Sequence, residues 1–408
     1  MIRLLFPVLV FLLALDLHSQ PLSSSAIQAH INVLASDSLQ GRGTATIGEI
    51  KAANYIARQF QQIGLKPKGI NDTFFQPFSL AFKIDGFTHQ QTARNVVGYL
   101  DNGARKTIVI GAHYDHLGDG TQGGSLSPGS VGETHNGADD NASGTAGVIE
   151  LARHLTSNAV KERYNFLFLA FSGEELGLIG SKHFVEHPTI PLETIAFMVN
   201  MDMIGRYDPN KGLTVGGWGT STWWGNLLPD ILKAENINYK PDSSGIGASD
   251  HTSFYTKKIP VLFFFTGGHG DYHKPIDDAD KINSEGISKV LRAVARFVEK
   301  LEREQGDPDY LLASNPHAQA TRSSFKVTLG VMPDYNFSGI GVKIDGVITN
   351  RPAERAGMRS GDIITRLGSH PIKDIYGYMD ALGKFEKGQT IEIEFFRANQ
   401  AQKSRLTF

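Results

Sequence analysis

The 408-residue chain contains no cysteine. That absence removes disulfides, thiolate metal sites and cysteine nucleophiles together, leaving imidazole, carboxylate and hydroxyl groups to carry chemistry or hold a metal. Charge of one sign is also missing: 40 Lys and Arg stand against 42 Asp and Glu, for a formal net charge of -2. Without a basic field, nucleic acid and acidic membrane surfaces are not attracted as a class, and any partner must be chosen by a local site. No long internal repeat is present, and the only low-complexity stretch is Gly/Ser-rich, over residues 118–137.

Apolar runs long enough to span a membrane are lacking as well. The longest, residues 4–15, follows the charged start Met1-Ile2-Arg3 and stops at Asp16. This is the layout of a secretory signal, predicted over residues 1–19 with a cut near Ser19, and it is short of the ~20 apolar residues a spanning helix needs. The expectation is a periplasmic or extracellular protein with no stable membrane span after cleavage. With 408 residues and 40% hydrophobic content, the chain can bury one full core and a second, smaller one.

Residues 47–63 set Ile50, Ala53, Ile56, Phe60 and Ile63 on one helical face, and Gly64 follows as a stop. Four short apolar runs come next, at 107–110, 166–171, 195–199 and 259–265. Continuous hydrophobicity of that length suits strands covered on both faces. Helical spacing recurs at 142–155 and from Ile287 through Val290, Leu291, Val294 and Val298 to Leu301. The pattern predicts an α/β domain over residues 20–303, with a mixed, largely parallel central sheet and helices on both faces. Gly306-Asp307-Pro308 and Asn315-Pro316 mark residues 304–324 as a connection. Residues 325–408 then carry strand-like runs at 339–344 and 390–395, with Ile375, Met379 and Leu382 at helical spacing, which predicts a small β-rich domain.

Chemistry-bearing side chains cluster where the apolar runs end. His113 follows the first run, with Asp115 placed to hold its imidazole through the other ring nitrogen. Asp140 lies in Gly137-Ala138-Asp139-Asp140-Asn141-Ala142-Ser143-Gly144, a turn of small residues entering a helix, where a carboxylate can bridge two cations. The consecutive acids Glu174 and Glu175 point in different directions, so one can bind metal while the other reaches its water. Asp202 and His273 each follow a further buried run. Each residue alone has an ordinary explanation as a solvated acid or a structural histidine. Together they converge, because open α/β sheets place ligands beyond the carboxyl ends of their strands. Three carboxylates and one hydroxide would balance two divalent zinc ions, with the histidines as neutral nitrogen donors.

At this point the chain, over residues 26–303, resembles the secreted dizinc aminopeptidase family, which also includes glutamate carboxypeptidases and glutaminyl cyclases. The resemblance rests on Gly111-Ala112-His113-Tyr114-Asp115, the Asp140 turn, Ser172-Gly173-Glu174-Glu175-Leu176-Gly177, Asn200-Met201-Asp202-Met203 and Tyr272-His273. It implies that Asp140 bridges two Zn2+, that His113 and Asp202 complete one site, and that Glu175 and His273 complete the other. Asp115 would orient His113, Glu174 would be the general base acting on a metal-bridged water, and Tyr272 would be a donor to the developing oxyanion. A cis peptide after Asp140 is a further expectation. Ser249-Asp250-His251 resembles a segment lining the site. His116, His135, His251 and His269 lie in or near these segments, where a role behind the ligands or against substrate is the alternative; each is expected to be a surface or hydrogen-bonded structural histidine, since the five ligands complete the metal set.

Residues 325–408 resemble a PDZ domain of the bacterial protease-associated type, through Leu329-Gly330-Val331, Pro352-Ala353-Glu354-Arg355-Ala356-Gly357-Met358 and Gly361-Asp362-Ile363-Ile364. Such a domain would hold a peptide or protein C-terminus by strand addition, with backbone donors in the 329–332 loop. The leading expectation is therefore an exported zinc exopeptidase that removes N-terminal residues from peptide substrates. Carboxypeptidase action, a glutaminyl-cyclase-like activity and a non-enzymatic peptide-binding role are the alternatives.

Overall fold

The computed structural model describes residues 22–408, except 85, 86, 128, 159, 314–326, 334–336, 338, 348–350 and 374. The expected signal and residues 314–324 of the expected connection lie outside the described residues. Helix α1 (Ser24–Leu34) is followed by α2 (Ile47–Ile63), which has the predicted bounds. Thr46 starts α2 by accepting the Glu49 amide on its side chain, and Gly64 ends it at φ 90°, a left-handed conformation that favours glycine.

Strands β1 (Lys66–Pro67), β2 (Phe75–Ile84) and β3 (Phe87–Leu100) form an antiparallel flank. The predicted alternation then follows: β4 (Lys106–His113), α3 (Gly144–Ser157), β5 (Tyr164–Phe171), α4 (Ile179–Glu186) and β6 (Ile195–Met201). The domain continues with β7 (Leu213–Gly216), α5 (Thr222–Ala234), β8 (Tyr239–Pro241), α6 (His251–Tyr255), β9 (Val261–Phe265) and α7 (Ser284–Leu301). Sheet order is β1-β3-β5-β4-β6-β9-β7-β8, with β2 on β3. The four strands foreseen from continuous apolar runs, β5, β4, β6 and β9, are mutually parallel neighbours at its centre.

Alternation along these strands divides the core. Phe166, Phe168 and Ala170 of β5 join α1, α2, α3, α5 and α7 in one apolar cluster. Leu167, Leu169 and Phe171 face the other way, onto Phe184 of α4 and Phe254 and Tyr255 of α6. Helices therefore cover both faces, which is why the central strands carry no polar face.

Two boundaries differ from the sequence reading. Regular helix begins at Gly144 rather than 142, because Ala138–Ser143 form a wider turn in which Asp140 (φ -106°, ψ 94°) and Asn141 (φ -131°, ψ 50°) leave helical geometry. The Asp140-Asn141 peptide is cis. In addition, the chain does not leave the large domain at residue 304. Asp309 Oδ1 accepts from Ser221 Oγ (2.7 Å) and from Thr222 N (3.0 Å) at the start of α5, and the Ala313 amide donates to Tyr255 Oη (2.9 Å). Residues 309–313 thus dock on α5 and α6.

The small domain has its own core, around Leu329, Ile344, Ile364, Leu367 and Ile393. It comprises β10 (Val331–Pro333), β11 (Val342–Val347), α8 (Pro352–Arg355), β12 (Ile363–Leu367), β13 (His370–Pro371), α9 (Ile375–Leu382), β14 (Thr390–Arg397) and β15 (Gln400–Thr407). Its strands pair antiparallel in the order β10-β11-β12-β14-β15, with β13 on β12.

Candidate metal centre

The carboxyl ends of β5, β4, β6 and β9 lie along one edge of the sheet. His113 is the last residue of β4, Glu174 and Glu175 follow β5, Asp202 follows β6 directly, and His273 comes in the loop beyond β9. Asp140 enters from the turn before α3. From β4 the chain continues to β5 on one side and later to β6 on the other, so the order reverses beside β4. A crevice opens at such a reversal, and these side chains meet there.

The meeting is close. His113 Nε2 lies 3.3 Å from Asp140 Oδ1 and 3.2 Å from Asp202 Oδ1. His273 Nε2 lies 3.1 Å from Asp140 Oδ2 and 3.1 Å from Glu175 Oε2. Asp140 therefore gives one oxygen to each histidine. Separations of this size match the edge of a tetrahedron whose metal–ligand bonds are ~2.0 Å, which is roughly 3.3 Å. Asp140 Oδ2 and His273 Nε2 are buried and make no hydrogen bond despite their closeness, as expected of lone pairs aimed at a shared cation. All five expected ligands are brought together, and the donor set of imidazoles and carboxylates fits zinc.

A surrounding layer fixes their orientation. Ser249 Oγ donates to Asp202 Oδ2 (2.7 Å) and accepts from Asn200 Nδ2 (2.7 Å), leaving Asp202 Oδ1 for His113. The His273 Nδ1 proton goes to the Gly124 carbonyl (3.0 Å), so Nε2 faces the acids. Asp277 Oδ2 accepts the main-chain N–H groups of Asp139 (2.9 Å) and Asp140 (3.2 Å). Behind the site, the buried Arg42 guanidinium donates to the carbonyls of Tyr114 (2.8 Å), Asn136 (2.6 Å) and Gly137 (2.9 Å), tying the His113 turn to the Asp140 turn.

Proton affinities report the crowding. Burial lifts the Glu174 carboxyl, the neighbouring Asp202, Glu175 and Asp250 add to the rise, and the group lies well above the usual carboxylate range although His113 opposes it. Burial also penalises charge on Glu175, but His273 and His116 outweigh it and hold that carboxyl at about 2. Burial opposes protonation of His113 and His273; their acidic neighbours win, and both imidazoles are pushed well above the ordinary value. A nitrogen that attracts a proton this strongly is equally placed to accept a cation.

Two details depart from the sequence reading. Asp115 does not orient His113 through its carboxylate: His113 Nδ1 lies 3.2 Å from the Asp115 main-chain oxygen and 3.8 Å from Oδ1. Both carboxylate oxygens are already engaged, Oδ2 by Thr44 Oγ1 (2.7 Å) and Oδ1 by the Glu174 amide (3.1 Å). The second departure is His116, expected to be an ordinary structural histidine. It is buried with Nδ1 2.8 Å from Glu175 Oε1, and with Asp140 and Glu175 it forms a group able to hold a metal.

The other histidines keep structural surroundings. His251 stacks on Phe263 with ring centroids 4.4 Å apart, and burial pushes its imidazole down to about 3. His135 bridges the Glu133 carbonyl (2.9 Å) and Ser125 Oγ (2.8 Å) within the glycine-rich loop. His269 Nε2 faces Asp139 Oδ2 at 3.1 Å. The Tyr272 ring stacks flat on His273, with centroids 3.9 Å apart, at the rim of the site.

Comparison with known proteins bears on the family and the fold. Residues 95–298, half of the chain, match the model of Peptidase family M28, and residues 317–407 match that of the PDZ domain. Aminopeptidase YwaD of Bacillus subtilis is 28% identical over 263 residues, which is 60% of this chain and 52% of that protein. A probable leucine aminopeptidase of Arthroderma otae is 24% identical over 221 residues, 52% of this chain and 55% of that protein. The chain thus spans about half the length of the curated relatives it matches. Among solved structures, BSAP, a zinc aminopeptidase from Bacillus subtilis, superposes at TM-score 0.55 with 18% identity, covering 72% of this chain and 99% of that one. Porphyromonas gingivalis glutaminyl cyclase superposes at 0.51 with 17% identity, covering 68% and 98%. At these identities the superpositions speak to fold alone.

Proposed function

The chain belongs to Peptidase family M28, and from that premise we propose that it is an exported aminopeptidase that uses two zinc ions to hydrolyse N-terminal residues from peptides. The observation carrying this reading is the division of Asp140, whose Oδ1 lies 3.3 Å from His113 and whose Oδ2 lies 3.1 Å from His273. His113, Asp140 and Asp202 would hold one cation, and Asp140, Glu175 and His273 the other. Zinc bound there would supply an activated water and polarise the scissile carbonyl.

The chain's own groups handle the proton. Glu174 is adjacent in sequence to a ligand, held by its amide on Asp115, and has a raised proton affinity. A carboxylate raised in this direction beside a proposed ligand is suited to take a proton from the attacking water and pass it to the leaving amine. Tyr272, stacked on His273, is the proposed donor to the oxyanion. Amino-terminal polarity is supported by relatives named aminopeptidases. The glutaminyl cyclase among the structural neighbours keeps that chemistry as the second reading.

Export is supported by the charged start and apolar run within residues 1–19. Among the described residues, no helix is long and apolar enough to cross a membrane. The PDZ domain is proposed to hold a peptide or protein C-terminus beside a strand edge.

A peptide panel digested with and without chelator and read by mass tests the assignment. Stepwise loss from the amino end, abolished by N-acetylation and by chelator, is expected. Release from the carboxyl end, cyclisation of N-terminal glutamine without cleavage, or digestion indifferent to chelator would overturn it.

A further inference from the structure

We propose that His116 is a positioning residue for the second cation, donating its Nδ1–H to Glu175 Oε1 so that Oε2 is the oxygen presented beside His273; this rests on the two-cation reading above. His116 Nδ1 lies 2.8 Å from Glu175 Oε1 and 3.6 Å from Asp140 Oδ2, while Glu175 Oε2 lies 3.1 Å from His273 Nε2. The two oxygens of Glu175 thus face different histidines.

The distances separate a donor from a ligand. A contact of 2.8 Å is a charge-assisted hydrogen bond, shorter than the roughly 3.3 Å expected between two ligands sharing one tetrahedral zinc. A carboxylate oxygen and a bare nitrogen lone pair would repel at that separation, so the contact needs a proton between them, and an imidazole Nδ1–H supplies it. The proton therefore sits on His116 Nδ1. Its Nε2 is buried without a hydrogen bond, and an unprotonated acceptor costs less there than a bare N–H.

The ring has little freedom to swing away. The His116 amide donates to the Arg42 carbonyl (3.1 Å), anchoring the backbone. The ring is wedged against Gly137, where a Cβ would come within 2.5 Å of two of its carbons, and it meets His273 edge-on with centroids 5.6 Å apart. Glycine at 137 makes this approach possible. A fixed donor on one oxygen removes the rotational choice of Glu175, which is how outer partners raise metal affinity.

The test compares wild type, His116→Phe and His116→Asn for zinc content, for zinc affinity by chelator competition, and for the absorption spectrum of the cobalt-loaded protein. Asparagine places an N–H near the position of Nδ1, whereas phenylalanine keeps the ring and removes the donor. His116→Phe should weaken the second zinc by about 10- to 100-fold while sparing the first, and His116→Asn should recover most of that loss. Equal affinities in all three proteins would reduce His116 to packing and overturn the proposal. An asparagine variant as weak as the phenylalanine one, with an altered cobalt spectrum, would make His116 a direct ligand and overturn it too. Wild-type protein that binds a single zinc would instead remove the underlying two-cation reading, a result visible before any variant is made.

Discussion

Asp115 Oδ1 accepts the main-chain N–H of Glu174 at 3.1 Å, tying the turn after β4 to the turn that carries the proposed base. Its other oxygen is held by Thr44 Oγ1, so the carboxylate is clamped from both sides. Asp115→Ala should therefore displace Glu174 more than it disturbs the metal ligands. The expected outcome is a kcat lowered by about 10- to 100-fold with zinc content largely kept, and Asp115→Asn, which retains one acceptor, should fall between. Parallel measurement of kcat and bound zinc checks this; loss of metal in proportion to activity would show that Asp115 serves the ligands instead.

Glu174→Gln keeps the size and the backbone contact of the side chain but cannot carry a proton. Zinc content should match wild type while turnover falls by roughly 100- to 10,000-fold, the range typical of a lost general base. Because the change also removes a negative charge from a crowded site, substrate affinity need not fall with it. Hydrolysis at the wild-type rate by fully metallated Glu174→Gln would eliminate Glu174 from the mechanism.

The parts of this site legible in the sequence were those fixed by position on the sheet. His113 and Asp202 stand at or directly beyond the ends of β4 and β6, so placing the strands placed the side chains. The core strands were equally legible, since burial on both faces leaves a continuous apolar run. Glu175 and Asp140 were found as motifs, but the splitting of each carboxylate between two histidines depends on rotamers that no spacing rule supplies. The surroundings of His116 come from long-range packing that no spacing rule supplies: the Arg42 carbonyl and Gly137 border it, and Arg42 is remote in sequence. The hold on the Asp115 carboxylate was not legible for a similar reason, as Thr44 lies 71 residues away. The docking of residues 309–313 was hidden by a composition that suited a free connection.

Removing metal should affect stability as well as activity. Without metal, Asp140, Glu175 and Asp202 share one crevice, offset by imidazoles and by the Arg42 guanidinium behind them. Bound zinc at 1,000 times its Kd would stabilise the native state by about 4 kcal/mol per site. Chelator-treated protein should melt at a lower temperature, and zinc should restore it. Since His113 and His273 hold protons well above the ordinary value, protons compete with the metal, and zinc affinity should weaken as pH falls. A melting temperature indifferent to chelator would count against bound metal in the native protein.

Glu49 gives a pH test remote from turnover. It is fully buried in α2, its Oε2 accepts the Ala45 amide (2.8 Å), and its Oε1 meets Ser172 Oγ, two residues before Glu174. Burial pushes its carboxyl from 4.5 up to about 8; the Asp115 charge adds to the rise, while Ser172 and Ala45 oppose it. Between those values the folded protein keeps a proton that the unfolded chain releases. Its stabilising contribution is therefore complete below about pH 4.5 and is lost as pH rises toward 8, at no more than about 1.4 kcal/mol per pH unit. Glu49→Gln stays neutral throughout and resembles the protonated side chain, so its stability should decline less across this window. Urea unfolding of both proteins at about pH 5, 6, 7 and 8 gives the comparison directly. Parallel curves would mean that Glu49 is ionised in the folded state, and that the Ser172 contact is made by a carboxylate rather than a carboxylic acid.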